Sequence, residues 1–167
     1  MITAEVEKAL TRVGELYIKA FRDELERQGH RATGELIDSF TQYLTLTTDG
    51  AVLEITMAAH GEGVDKGQPP GTIVPLDKLI RWVQLKDIES EITKVQSAAS
   101  LIQRAIYNEG TPTRGSREMG QKTNFIGIAS GNVSQEVADI MNEAISRGTA
   151  VLFENLIRDQ VNGFSKI

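Results

Sequence analysis

"FTQYLTLTTDGAVLEITMAA", Phe40 to Ala59, is the stretch on which the fold turns. Asp49-Gly50 lies at its middle, and an Asp-Gly pair favours the tight turn of a β-hairpin. Before the pair, Leu44 and Leu46 alternate with Thr45 and Thr47. After it, Leu53, Ile55 and Met57 alternate with Glu54 and Thr56. A period of two puts the apolar set on one face, so the hairpin has one buried face and one wet face.

Outward from the hairpin the period changes to three and four. On the amino-terminal side, Val6, Leu10, Val13, Tyr17, Phe21 and Leu25 predict one long amphipathic helix over Thr3 to Gln28. Thr3 is its candidate N-cap and Gly29 its stop. At 1.5 Å per residue this helix is roughly 40 Å long, so it either wraps the core or packs in part on a neighbour. A short helix follows at "TGELIDSF", with Thr33 as its cap. On the carboxy-terminal side, a loop over Ala59 to Val74 leads to a helix that starts at Pro75. Leu76, Leu79, Ile80 and Val83 mark its inner face, and it holds Trp82, the single tryptophan. Ser90 caps a further helix with the stripe Ile92, Val95, Ala99, Ile102 and Ile106, ending at Gly110. "GTPTRGSREMGQKTN" reads as a second polar loop, and "NFIGIA" as a short strand or extended plug carrying Phe125, Ile126 and Ile128. Ser134 caps the last helix, Gln135 to Val161. Its stripe runs through Val137, Ile140, Met141, Ala144 and Ile145, then Val151, Leu152, Leu156 and Ile157, with Gly148 and Thr149 as a point of bending. The fold class is α+β: a small antiparallel sheet built around the hairpin, helices packed on one side, and long N- and C-terminal helices. One domain spans 1–167.

The 167 residues are 40% hydrophobic and 25% charged, as in ordinary globular chains, with a net charge of -5. Phosphate binding over the whole surface needs a positive field, so that charge argues against it and leaves room for a local basic patch. No cysteine is present, which removes thiolate metal sites and cysteine nucleophiles. No run of about 20 apolar residues predicts a membrane span, and "MITAEVEKAL" is unlike a secretory signal.

The chemical candidates are few. "GVDKGQPPGT", Gly63 to Thr72, lacks the G-x-x-x-x-G-K-[ST] order of a phosphate cradle. Its glycines and the pair Pro69-Pro70 read as an ordered arm, and Asp65-Lys66 as a surface pair. His60, after a strand, has no companion serine, carboxylate or histidine at a recognisable spacing. It would be the centre of a rival reading as a small metal-dependent hydrolase or nuclease. His30, at a helix end, suits the helix dipole. Glu89 and Glu91 suit a helix start. From Thr111 to Lys122, Arg114, Arg117 and Lys122 against Glu118 give three positive minus one negative, or +2. That loop supports a second rival, a DNA- or partner-binding module.

Taken in order, "ATGELIDSF", the hairpin, "VDKGQPPGT", "VPLDKLIRWVQLKDI", "SLIQRAIYNEGTPTRG" and "NFIGIASGNVSQEVADIMNEAI" resemble tailed-phage neck and tail-completion proteins over about residues 1–160. The resemblance is carried by Thr33-Gly34 with Leu36 and Ser39, Asp65 to Pro70, Trp82, Ile102 to Pro112, and Phe125 to Ala129. Asn124 stands where that family has proline.

The resemblance implies a structural virion protein of the head–tail junction without catalytic residues, cofactor or metal. It implies a homo-oligomeric ring, six- or twelve-fold, bound to other neck, head-completion or tail proteins. Phage DNA makes transient contact in its lumen, and assembly takes place in the host cytoplasm with no membrane involved. On this reading Val64, Asp65, Lys66, Gly67, Gln68, Pro69, Pro70, Gly71 and Thr72 form an interface arm, with the prolines lowering the ordering cost of binding. Arg114, Arg117 and Lys122 face DNA or a partner.

Overall fold

The computed structural model describes residues 4–48, 50–86, 92–120 and 122–164. The elements run α1 (Ala4–Arg27), α2 (Glu35–Asp38), β1 (Thr41–Leu46), β2 (Ala51–Thr56), α3 (Gly61–Lys66), α4 (Leu76–Leu85), α5 (Ile92–Glu109), α6 (Arg114–Glu118) and α7 (Phe125–Phe164). The class is α+β: a two-stranded antiparallel sheet among helices, with long helices at both ends. Thr3, Asp49, Glu89, Ser90 and Glu91, named above as cap, turn or helix-start residues, lie outside the described residues.

Two compact units share these elements. One holds the chain up to Ala20, Thr41–Ile55 and the chain from Ser130 on; the other holds Phe21–Phe40 and Thr56–Ala129.

In the first unit, Ala9 and Val13 of α1 meet Ile140 and Ala144 of α7 in one buried cluster, with Leu16, Tyr17, Leu53, Val137 and Met141 packed against it. Small residues at the contact let two helices approach closely, and Gly14 does the same for the hairpin. A Cβ there would overlap Gln42 Oε1, and it would stand 3.2 Å from Leu53 Cδ1. The hairpin closes where Thr47 N donates to Gly50 O (2.8 Å) and Gly50 N to Thr47 Oγ1 (3.0 Å). Its inner face is only half covered. Leu44, Leu53 and Ile55 are partly buried as the alternation predicts, but Leu46 is 49% exposed. Gln42, a polar residue, shares that inner face, and its Oε1 is buried without a hydrogen-bond partner among the described residues.

In the second unit, Phe21, Phe40 and Phe125 stack around one point, their ring centroids 5.6 to 6.3 Å apart. Two of the three contacts are edge-to-face, the arrangement that ring quadrupoles favour. A second cluster joins α4 to α5 through Leu79, Val83, Val95, Ala99 and Ile106. Gln103 Nε2 donates to Val74 O (2.7 Å) and ties the entry of α4 to α5.

Several local expectations change. Pro75 is the N-cap of α4 with ψ 132°, so the helix begins at Leu76. Gly34, in the left-handed region at φ 87°, holds the N-cap position of α2; Thr33 contributes by accepting from Glu35 N (3.2 Å). The expected loop after β2 contains α3, and the second polar loop contains α6, whose N-cap Thr113 accepts from Ser116 N. "NFIGIA" is not a strand or extended segment: from Phe125 on it is the start of α7, which runs unbroken through Ser134, and Phe125 fills the core from within that helix. Ser134 is an interior helical residue whose hydroxyl donates to Gly131 O (2.9 Å).

Candidate functional site

The segment Gly63 to Thr72 is bonded to its own chain. Gln68 and Thr111 form an isolated antiparallel bridge, with Gln68 N donating to Thr111 O (3.3 Å) and Thr111 N to Gln68 O (2.8 Å). Gly71 N donates to Tyr107 O (2.7 Å). Two glycines make the close approach possible. A Cβ on Gly67 would strike Thr111 O, and one on Gly110 would strike Gln68 O. Both have positive φ, 74° and 78°, where side chains are strained.

Asp65 is not a surface partner of Lys66. Its backbone oxygen accepts from Asn124 N (2.6 Å), and its Oδ1 accepts from Ile126 N (2.9 Å). The carboxylate therefore caps the amino end of α7, where unpaired N–H groups and the helix dipole favour negative charge. Lys66 pairs instead with Glu62 (2.5 Å), both exposed, a geometry that contributes little to stability. Of the expected arm, Lys66, Gln68, Pro69, Pro70 and Gly71 remain exposed.

The end of α1 is anchored by a polar relay. Gly29 at φ 71° closes the helix, with Gly29 N bonding Glu26 O and His30 N bonding Leu25 O (both 2.9 Å), the paired bonds of a Schellman motif. Glu24 and Gln28 are buried, 3% and 1% exposed. Glu24 accepts from Arg27 Nε (2.7 Å) and Gln28 Nε2 (2.6 Å). The Arg27 hydrogen bond, opposed by burial, holds the Glu24 carboxyl below its ordinary pKa. His30 Nε2 then lies 3.1 Å from Gln28 Oε1 and 2.9 Å from Lys122 O. Both neighbours are acceptors, so this nitrogen carries the proton.

Beside this relay, within the second unit, opens an apolar cleft of about 660 Å³, in the size range of ligand and peptide sites. Its walls come from Leu36 of α2, Val64 of α3, Trp82 of α4, Ile102 of α5 and Met119 after α6; Lys86 and Lys122 supply positive charge and Glu35 negative charge. Lys86 Nζ is held by Gly29 O (3.0 Å) and Arg31 O (2.6 Å). The spacing rules place Leu79 and Val83 on the inner face of α4. Trp82, next to Val83 and on the edge of that stripe, was the available sign that the helix has a second apolar neighbour.

Of the remaining candidates, His60 and Lys122 line this same cleft, while Arg114 and Arg117 do not. His60 is exposed, at the N-cap position of α3. Among the described residues no group of three or more His, Cys, Asp or Glu side chains is placed to hold a metal. Arg114 and Arg117 lie exposed on α6. Arg114 Nε faces Glu118 (3.4 Å), and its amide donates to Glu109 Oε2 (2.6 Å). Lys122, also exposed, lies on the cleft wall rather than beside the arginines on α6. Among the described residues no helix is long and apolar enough to cross a membrane.

The second half of α7 departs most from expectation. Val151, Leu152, Leu156 and Ile157, assigned to its inner stripe, are 44 to 64% exposed, and Phe153 between them is 68% exposed. Steps of seven residues show why. From the half-buried Met141 they reach Gly148 and Asn155, so the covered stripe ends in small and polar residues. From Ile145 they reach Leu152, with Leu156 one turn further. That second stripe is apolar on a different face, and it is uncovered.

No family model, curated protein or solved structure matches the chain.

Proposed function

We propose that this chain is a structural subunit of the tailed-phage head–tail junction, a neck or tail-completion protein that assembles as a ring joining head to tail and letting DNA pass. The observation that carries the reading is the uncovered apolar face of α7. Isolated apolar surface residues are ordinary, but a run of them on one helix face signals an interaction surface. A subunit that grips copies of itself or neighbouring virion parts would cover it.

The ordered motifs support the same reading because several of them set the backbone. Gly34 supplies a left-handed residue. Leu36 is buried. Ser39 Oγ donates to Leu36 O (2.7 Å) and accepts from Ala58 N (2.9 Å). Asp65 caps α7, and Gly67 and Gly110 admit the bridge. A signature made of folding determinants suits a scaffold better than a catalyst. Arg114 and Arg117, exposed on α6, are among the cations that would face DNA in the lumen on this reading.

The test is genetic. A phage encoding this chain and lacking it is expected to yield filled heads and finished tails that remain separate. Joined, infectious particles from the deletion would refute the reading.

A further inference from the structure

Among the described residues two apolar surfaces stand uncovered: the cleft of the second unit, and the face of α7 formed by Ile145, Leu152, Phe153, Leu156 and Ile157. We propose that they fit each other between copies, the α7 face of one subunit lying in the cleft of the next. The inference rests on the reading above that copies assemble, and it names the contact.

Two features point to a second copy as the occupant. The first is size. An aliphatic side chain exposes about 60–120 Å², as 1.5–3 kcal/mol at about 25 cal/mol/Å² implies, and a phenylalanine about 200 Å². At 44 to 68% exposure the five residues leave roughly 300 Å² of apolar surface on one face, a substantial part of the ~800 Å² that a stable interface takes from each partner. The second is shape: side chains at i, i+7, i+8, i+11 and i+12 form the anchor pattern of a helix laid in a groove. A helix of one copy in a cleft of another is a heterologous contact, and repeated head to tail it closes a ring where the rotation permits.

Mixing separates this contact from any other. Phe153→Asp spoils the helix face and leaves the cleft. Met119→Glu, at a cleft residue 76% exposed and so free of folding consequences, spoils the cleft and leaves the helix. Each substitution is expected to weaken self-association of the full chain at least tenfold in mass measurements. An equal mixture is expected to form pairs and nothing larger, because each pair has spent its only intact helix and cleft. Trp82, the single tryptophan and a wall of the cleft, reports occupancy. Its emission in the Phe153→Asp chain should shift on adding a Met119→Glu chain that also carries Trp82→Phe. Either variant assembling like the unaltered chain, a mixture that stays monomeric, or an unaltered chain that is monomeric at high concentration would overturn the contact. Joining of heads to tails is scored separately, so the ring reading can survive the loss of this contact.

Discussion

Gly67 and Gly110 lie on either side of the Gln68–Thr111 bridge, and neither position has room for a methyl group. Gly110→Ala would add a left-handed alanine and a clash with Gln68 O, an expected loss above about 1 kcal/mol in denaturant unfolding. Gly71→Ala is the control: it has the same sign of φ, 89°, with nothing within 4 Å, so its loss should be smaller. The glycines were legible as backbone-setting residues. That two of them, far apart in sequence, admit one bridge was not, because the pairing is tertiary. Glu24 gives a second prediction at this scale. Its folded pKa is depressed, first by the Arg27 hydrogen bond. Its contribution is therefore fully present above the ordinary carboxylate value of about 4.3 and is lost as pH falls through the lower folded value. Glu24→Gln should cost about 1–3 kcal/mol near neutrality. The gap in melting temperature between the two proteins should close as the solution is acidified below pH 4.

At the scale of elements, the long helices were readable, whereas the short α3 and α6 and the true start of α7 were not. α1, α4 and α5 follow their apolar spacing. The first residues of α7 do not look helical, since Gly127, Gly131 and Asn132 all have low helix propensity. Tertiary contacts override that preference: Asp65 caps the end, and Phe125 and Ala129, one turn apart, are 0% and 1% exposed. Phe125→Ala removes the ring that meets both Phe21 and Phe40. It should cost about 3–5 kcal/mol, read from the midpoint of urea unfolding at unchanged slope. The cleft was hidden for a related reason. Its apolar walls come from five separate segments, and two of them, around Val64 and Met119, read in the sequence as polar loops.

For the whole molecule, the α+β class and the long terminal helices follow from periodicity. The arm expected to reach a neighbour is bonded to Tyr107 and Thr111 while its tip stays exposed, so deleting Gly67 to Gly71 would remove backbone bonds inside the second unit as well as any contact outside it. On the proposed reading an apolar surface for assembly lies on α7, where the sequence placed core. Electron microscopy of the head–tail junction in particles built with this chain tests the central claim most directly. The account predicts a closed ring of copies at the junction, with the α7 apolar face of each covered by protein. Particles whose junction contains no copy of the chain, or copies whose α7 face stands in solvent, would contradict it.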